Sequence, residues 1–514
     1  MYLKFLSKLF TFLLIIGVLF STTNPFSALA QPLDPQRLEA VDPQVLAEIE
    51  ENGSTSYWID FESTPDLDKA YAMDWSERGW YVYDQLSKAA NAAQANVTQY
   101  LNDAGVTYES FWIKNTILVT RSDLVVLNGM LGFQEVQYIR PLKNYILYEP
   151  DTSYAVLRNS VNAIEPNISQ VNADDVWALG YTGEGMVVAS IDTGVRYTHD
   201  ALTEQYRGND GGTYDHDYNW WDGLEVFDVP TDPHSHGTHT MGTMIGDDGG
   251  DNQIGMAPGA EWMACRGCST SSCPDSALLS CAQFMAAPTT LEGTDPNPDM
   301  RPNVVNNSWG GCSQSYNDWY QAVVDAWHAA GIYPVFSNGN AGNCGYSYPP
   351  GLNTVGNPAR YGNVTGVGAS GMNNGEYAIF SNWGPTDNPD TVNPTDGFDT
   401  MKPQVLAPGT SIRSSIPDSD SSYEDGWSGT SMAAPHVTGL VALIWQAAPC
   451  LLGDYAATEN LIEETAVDIT YDDGSEDTPT NFPNFATGWG EIDALAAVEA
   501  AVGFCGYSSL EGTV

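Results

Sequence analysis

Positive charge is scarce in this chain. Only 18 Lys and Arg stand against 65 Asp and Glu in 514 residues, a net charge of −47, and Lys402 is the only lysine after Lys143. Nucleic-acid binding needs basic faces and is excluded on this count. The excess of carboxylates suits a solvated surface that resists self-association, and a monomer is expected. Cysteine is absent before Cys265, so all eight cysteines fall in the later part of the chain. No apolar run after residue 20 approaches the length that spans a bilayer, and no membrane association is expected. Internal repeats, low-complexity tracts and a His-Glu-x-x-His pattern are also missing, which removes the common helical zinc site.

What is present begins with an export signal. Lys4 and Lys8 precede an almost wholly apolar stretch, residues 9–20, and Ala28-Leu29-Ala30 fits a small-x-small cleavage site. Residues 1–30 therefore read as a signal peptide, and the protein as secreted and extracellular. In that setting eight cysteines favour disulfides, although 105 full pairings are possible.

Residues 31–150 form a segment of their own. Strand-like runs at 56–61, 111–113, 117–119 and 136–139 alternate with helical stretches at 80–101 and 124–131. That β-α-β-β-α-β order predicts a small ferredoxin-like α+β domain. Residues 151–170 are polar and loop-like. From residue 171 onward strand-like and helical runs alternate, at 187–191, 262–264, 304–305, 332–336 and 364–367, with helices at 318–330 and after Ser431. Such alternation predicts an α/β domain, residues 171–505, with a parallel sheet between two helical layers and a short tail at 506–514.

The chemistry-bearing segments lie in this second domain. Residues 429–436 read Gly-Thr-Ser-Met-Ala-Ala-Pro-His and enter an apolar helical run through Val437, Leu440, Val441, Leu443 and Ile444. Ser431 thus sits at a helix N-terminus, where backbone N–H groups and the helix dipole favour a developing oxyanion. A plain N-cap is the alternative for such a serine. Upstream, an apolar strand run ends in Asp192-Thr193-Gly194, and a second block reads His234-Ser235-His236-Gly237-Thr238-His239. Strand ends of this kind are where open α/β sheets gather their ligands.

Asp, His and Ser in this order, each within its own block of eight to ten positions, resemble the subtilase family. The resemblance spans about residues 171–502, and residues 232–241 most resemble its bacillopeptidase F branch. It implies a subtilisin-like fold and a serine endopeptidase acting on proteins and peptides through an acyl-enzyme. Ser431 would be the nucleophile, His236 the general base and Asp192 the group that orients the imidazole. In residues 335–342 it assigns the oxyanion-hole amide to Asn340, with Asn338 the competing candidate. Ser308, Trp309 and Gly310 fall in the segment that pairs with extended substrate.

The same resemblance makes residues 31–150 an inhibitory propeptide, with self-cleavage expected within residues 148–170. It implies Cys312–Cys344 and Cys450–Cys505 bridges, leaving the four cysteines from 265 to 281 to pair locally. Ala201 stands where many subtilases carry a calcium-binding aspartate, so no metal ligand is assigned. Structural calcium stays open, and the chemistry requires no cofactor. Two other readings stand beside this one: a Ser-Glu-Asp sedolisin-type enzyme, and a catalytically inactive subtilase-like binding protein.

Overall fold

The computed structural model describes residues 37–62, 65–152, 164–270, 272–372, 375–388, 400–471 and 482–511. The signal-peptide expectation for residues 1–30 lies outside them, as does much of the 151–170 segment.

The N-terminal domain contains α1 (Pro43–Asn52), β1 (Thr55–Phe61), α2 (Trp75–Ala104), β2 (Tyr108–Phe111), β3 (Thr116–Ser122), α3 (Leu124–Met130) and β4 (Val136–Pro141). Its antiparallel sheet has the order β2-β3-β1-β4, the ferredoxin-like arrangement expected from the sequence. Helix α1 was not expected, yet its signals are local. Asp42 caps it through the Gln44 N–H, Pro43 opens it, and Gly53 closes it at φ +75°. Period-two alternation along β1 divides its side chains between two interfaces. Tyr57, Ile59 and Phe61 pack in the domain's own core with Val97, Leu101 and Ile117, whereas Trp58 packs into the following domain.

That second domain carries a seven-stranded parallel sheet. Its strands are β6 (Val187–Asp192), β7 (Trp220–Asp222), β8 (Glu261–Arg266), β10 (Val304–Asn307), β12 (Tyr333–Ser337), β13 (Thr365–Ser370) and β14 (Val405–Pro408). Their spatial order is β14-β13-β12-β10-β6-β8-β7. Helix α6 (His236–Ile245) and helix α9 (Thr430–Ala447) pack against one another on the sheet. Helices α7 (Asp275–Ala286) and α8 (Gln321–Ala330) belong to the second apolar cluster. Sheets buried on both faces read as continuous apolar runs, which is why 187–191 and 332–336 were legible. Short helices α4 (Pro166–Gln170) and α5 (Ala173–Ala178) precede the sheet. Ile168 of α4 is buried in the core, so this end of the expected linker belongs structurally to the second domain. The solitary Lys402 is itself buried, donating to the carbonyl of Val364 (2.8 Å) and to Gln404 Oε1 (3.0 Å).

Four disulfides join Cys265–Cys281, Cys268–Cys273, Cys312–Cys344 and Cys450–Cys505. The two domains meet through buried polar contacts. Asp275, at the start of α7, accepts from Trp58 Nε1 (2.9 Å), Arg140 Nη1 (3.1 Å) and the Lys143 N–H (3.1 Å). Arg78 of α2 donates to the carbonyls of His328, Ala329 and Gly453, capping the C-terminus of α8.

Candidate active site

Strand β6 ends at Asp192 and helix α6 begins at His236, so the two side chains meet at the C-terminal end of an interior strand. His236 Nδ1 lies 2.7 Å from Asp192 Oδ1, and both side chains are fully buried. Asp192 also accepts from the Thr193 N–H at 2.7 Å and from Thr240 Oγ1 at 3.4 Å. This close approach of helix to strand depends on Gly237, because a Cβ there would stand 2.1 Å from the Gly194 carbonyl. Ser235, just before His236, is held at φ +95°, a costly conformation for a non-glycine residue.

Asp232 holds that conformation in place, and sequence reasoning assigned it no role. Its Oδ1 accepts from Thr193 Oγ1, the His234 N–H and the Ser235 N–H. Its Oδ2 accepts from the N–H and hydroxyl of Thr238. One buried carboxylate thus ties the loop after β6 to the first turn of α6. The only sequence signal is an aspartate shortly before a catalytic-type histidine.

Ser431 enters the site at the second position of α9, buried like the rest of that helix as far as Trp445. Pro435 lacks an N–H and cannot bond the Ser431 carbonyl within the helix. Ser308 Oγ donates to that carbonyl instead, at 3.3 Å. Ser431 Oγ does not engage His236, whose Nε2 is buried without a partner. It donates to the carbonyl of Tyr148 at 3.0 Å and lies 3.4 Å from that of Ser308.

The chain therefore occupies its own cleft. Strand β5 (Asn144–Leu147) lies antiparallel between β9 (Ser272–Pro274) and β11 (Trp309–Gly310). Ile146 faces Gly310 and Leu147 faces Trp309, while Asp151 pairs with Ser428 beyond Ser431. The Tyr148 side chain is fully buried in a slot walled by glycines. A Cβ at Gly310 or Gly356 would come within 2.3 or 2.2 Å of its hydroxyl, and one at Gly339 within 3.2 Å. The phenol donates to the Gly311 carbonyl at 3.4 Å. Burial pushes its pKa well up, so it stays neutral.

Asn340 and Asn338 have different surroundings. Asn340 Oδ1 accepts from the N–H and Oγ1 of Thr430, both at 2.9 Å, and its Nδ2 donates to Asn343. Its amide thus stands at the N-terminus of α9 beside the helix turn that carries Ser431. Asn338 is fully buried and donates to the Asn382 carbonyl. Of the three residues expected to bind substrate, Ser308 and Gly310 offer backbone groups at the cleft. Trp309 does so too, but its indole lies in the core against Tyr320 and Phe336. His239 stacks on Trp427, and His436 bonds Asn167 and the Met432 carbonyl. Among the described residues no group of three or more His, Cys, Asp and Glu side chains is placed to hold a metal ion. A cavity of about 800 Å³ between Arg78, Lys402 and Glu459 lies apart from this site and includes none of Asp192, His236, Ser431 or Tyr148.

Known proteins resemble this chain in sequence and in fold. The subtilase family model matches residues 183–490. The chain is 37% identical to bacillopeptidase F of Bacillus subtilis (strain 168), over 84% of this chain but only 29% of that protein. It is 32% identical to subtilisin DY of Bacillus licheniformis, over 59% of this chain and 91% of that one. Among solved structures, fervidolysin from Fervidobacterium pennivorans, described as a keratinolytic enzyme related to subtilisin, superposes with a TM-score of 0.56. That match covers 87% of this chain and 61% of fervidolysin at 19% identity, a likeness of fold.

Proposed function

The chain belongs to the subtilase family, and on that premise we propose that it is a secreted serine endopeptidase made as a self-processing zymogen. Ser431 attacks a peptide carbonyl while His236 Nε2 takes its proton. Asp192 fixes the imidazole tautomer through Nδ1 and stabilises the imidazolium. The amide of Asn340 and the Ser431 N–H receive the negative charge that develops on the carbonyl oxygen. His236 then protonates the leaving amine, and water releases the acyl group from Ser431. Every proton moves between side chains, substrate and water, so no cofactor enters.

The observation that carries this reading is the 3.0 Å contact between Ser431 Oγ and the carbonyl of Tyr148. A C=O bond is about 1.23 Å long, so the carbon to be attacked lies one bond from an atom already touching the hydroxyl. Residues 31–148 then act as propeptide and first substrate together, and the bond cut is Tyr148–Glu149. The remaining contacts keep the cleaved domain bound as an inhibitor. Substrates are extended polypeptides held by main-chain pairing, with an aromatic side chain before the cut bond filling the glycine-walled slot.

A fluorophosphonate probe tests the reading. Covalent labelling of Ser431 in the processed protein, lost in His236→Ala, is the expected result. A processed protein inert to the probe would instead favour a subtilase-like binding protein.

A further inference from the structure

Glu149, the residue just past the bond to be cut, has a partner that the triad chemistry does not use. His234 Nε2 lies 3.3 Å from Glu149 Oε1, and the imidazole is 21% exposed. His234 sits on the loop that Asp232 organises, two residues before His236. Both Asp232 oxygens are already engaged by backbone N–H groups and hydroxyls, so the imidazole is left to the substrate side.

The other cations of the second domain are committed elsewhere among the described residues. Arg196 pairs with Asp420, Arg266 with Asp222, Arg360 with Asp387 and Arg413 with Glu165. Arg207 and Arg301 donate to backbone carbonyls, and Lys402 is buried against Val364 and Gln404. In so acidic a protein, His234 is the chargeable donor at the position after the cut.

We propose that His234 is a specificity-determining residue, receiving the side chain that follows the cut bond and favouring a carboxylate there. This rests on the serine endopeptidase reading, because only then does Glu149 occupy a substrate position. In either protonation state Nε2 carries the hydrogen that Glu149 accepts, so a glutamine could bond as well. Charging the ring adds an attraction that only a carboxylate gains. The hydrogen bond to Glu149 raises the His234 pKa, burial opposes it, and Glu149, Asp232 and Asp192 add to the rise. His236, two residues on, serves every substrate as the same base and cancels from a ratio.

The test uses the processed enzyme and three quenched peptides that share Ile-Leu-Tyr before the cut and carry Glu, Gln or Lys after it. At about pH 6 glutamate is still ionised and histidine largely charged. There we expect kcat/KM for Glu to exceed that for Gln by roughly 3- to 10-fold, with Lys lowest. The Glu-to-Gln ratio should shrink toward one at about pH 9. In His234→Gln the ratio should lie near one at both pH values, and His234→Ala should lose the discrimination against Lys. Equal rates for Glu and Gln in the unaltered enzyme at both pH values would overturn the proposal without any variant, as would an unchanged ratio in His234→Ala. If no peptide is cut, the endopeptidase reading itself fails and the proposal falls with it.

Discussion

The hydroxyl of Ser431 donates a 3.0 Å hydrogen bond to the carbonyl of Tyr148, a residue 283 positions earlier in the same chain. On the proposed function, nucleophile and first substrate are thus already in register. The strand pairing of Asn144–Leu147 with β9 and β11 sets that register, and the Tyr148 slot fixes its end. Cβ atoms at Gly310 and Gly356 would collide with the phenol and one at Gly339 would crowd it, so the slot's depth is set by missing side chains.

The slot can be closed. Gly356→Val should place methyl groups where the Tyr148 hydroxyl lies. Peptides with tyrosine before the cut should lose about 10²-fold in kcat/KM, while those with alanine there lose far less. A matched pair of peptides reads this directly, and equal losses would move the pocket elsewhere.

Asn340 and Asn338 should separate by phenotype. Removing one oxyanion donor costs roughly 10²–10³ in kcat in subtilisin itself, and Asn340→Ala should behave likewise with KM little changed. Asn338→Ala removes a buried amide that bonds Asn382, so it should lower Tm and leave kcat per folded molecule near its original value. The reverse pattern would exchange the two roles.

Contact between the domains should depend on the Arg140–Asp275 pair, whose side chains are 11% and 1% exposed. Arg140→Ala leaves a buried carboxylate short of its charged partner, a change that costs about 3–5 kcal/mol in comparable buried pairs. Free activity should then appear sooner after processing, which a time course of peptide hydrolysis would show.

Acid should destabilise the catalytic domain early. Burial lowers the pKa of His239 to about 3, and of His328 and His436 to about 4. Each is neutral in the fold but takes a proton near pH 6.5 when unfolded, so the unfolded state binds more protons as pH falls. The stabilisation is complete above about pH 6.5 and is lost progressively toward pH 3–4, on the order of 3–5 kcal/mol per histidine. Melting curves of Ser431→Ala, which avoids self-digestion, should show Tm falling from about pH 6.5 downward. A flat Tm to pH 4 would contradict this.

Much of this was legible in the sequence, for identifiable reasons. Asp192, His236 and Ser431 each sit at the end of an apolar strand or the start of a packed helix, where small residues mark close approach. The ferredoxin-like order showed in alternating runs. Strand β5 did not, because four residues with no pattern of their own become a strand only beside residues 272–274 and 309–310, more than 120 positions away. For the same reason Tyr148 read as the edge of a polar linker. Asp232 went unassigned because its role lies in five donors that the fold gathers around it. Trp309 falls in the segment expected to pair with extended substrate, and its backbone pairs with Leu147 there, while its indole turns into the core against Tyr320 and Phe336, which the sequence does not reveal.

The central claim is that Ser431 cuts the chain at Tyr148–Glu149. The N-terminus of the mature protein, read by mass spectrometry beside a Ser431→Ala control made without other proteases, tests it most directly. The account predicts a mature chain beginning at Glu149 and a control that stays whole. A control processed like the unaltered protein, or a first cut elsewhere in residues 149–170 with Tyr148–Glu149 intact, would contradict it.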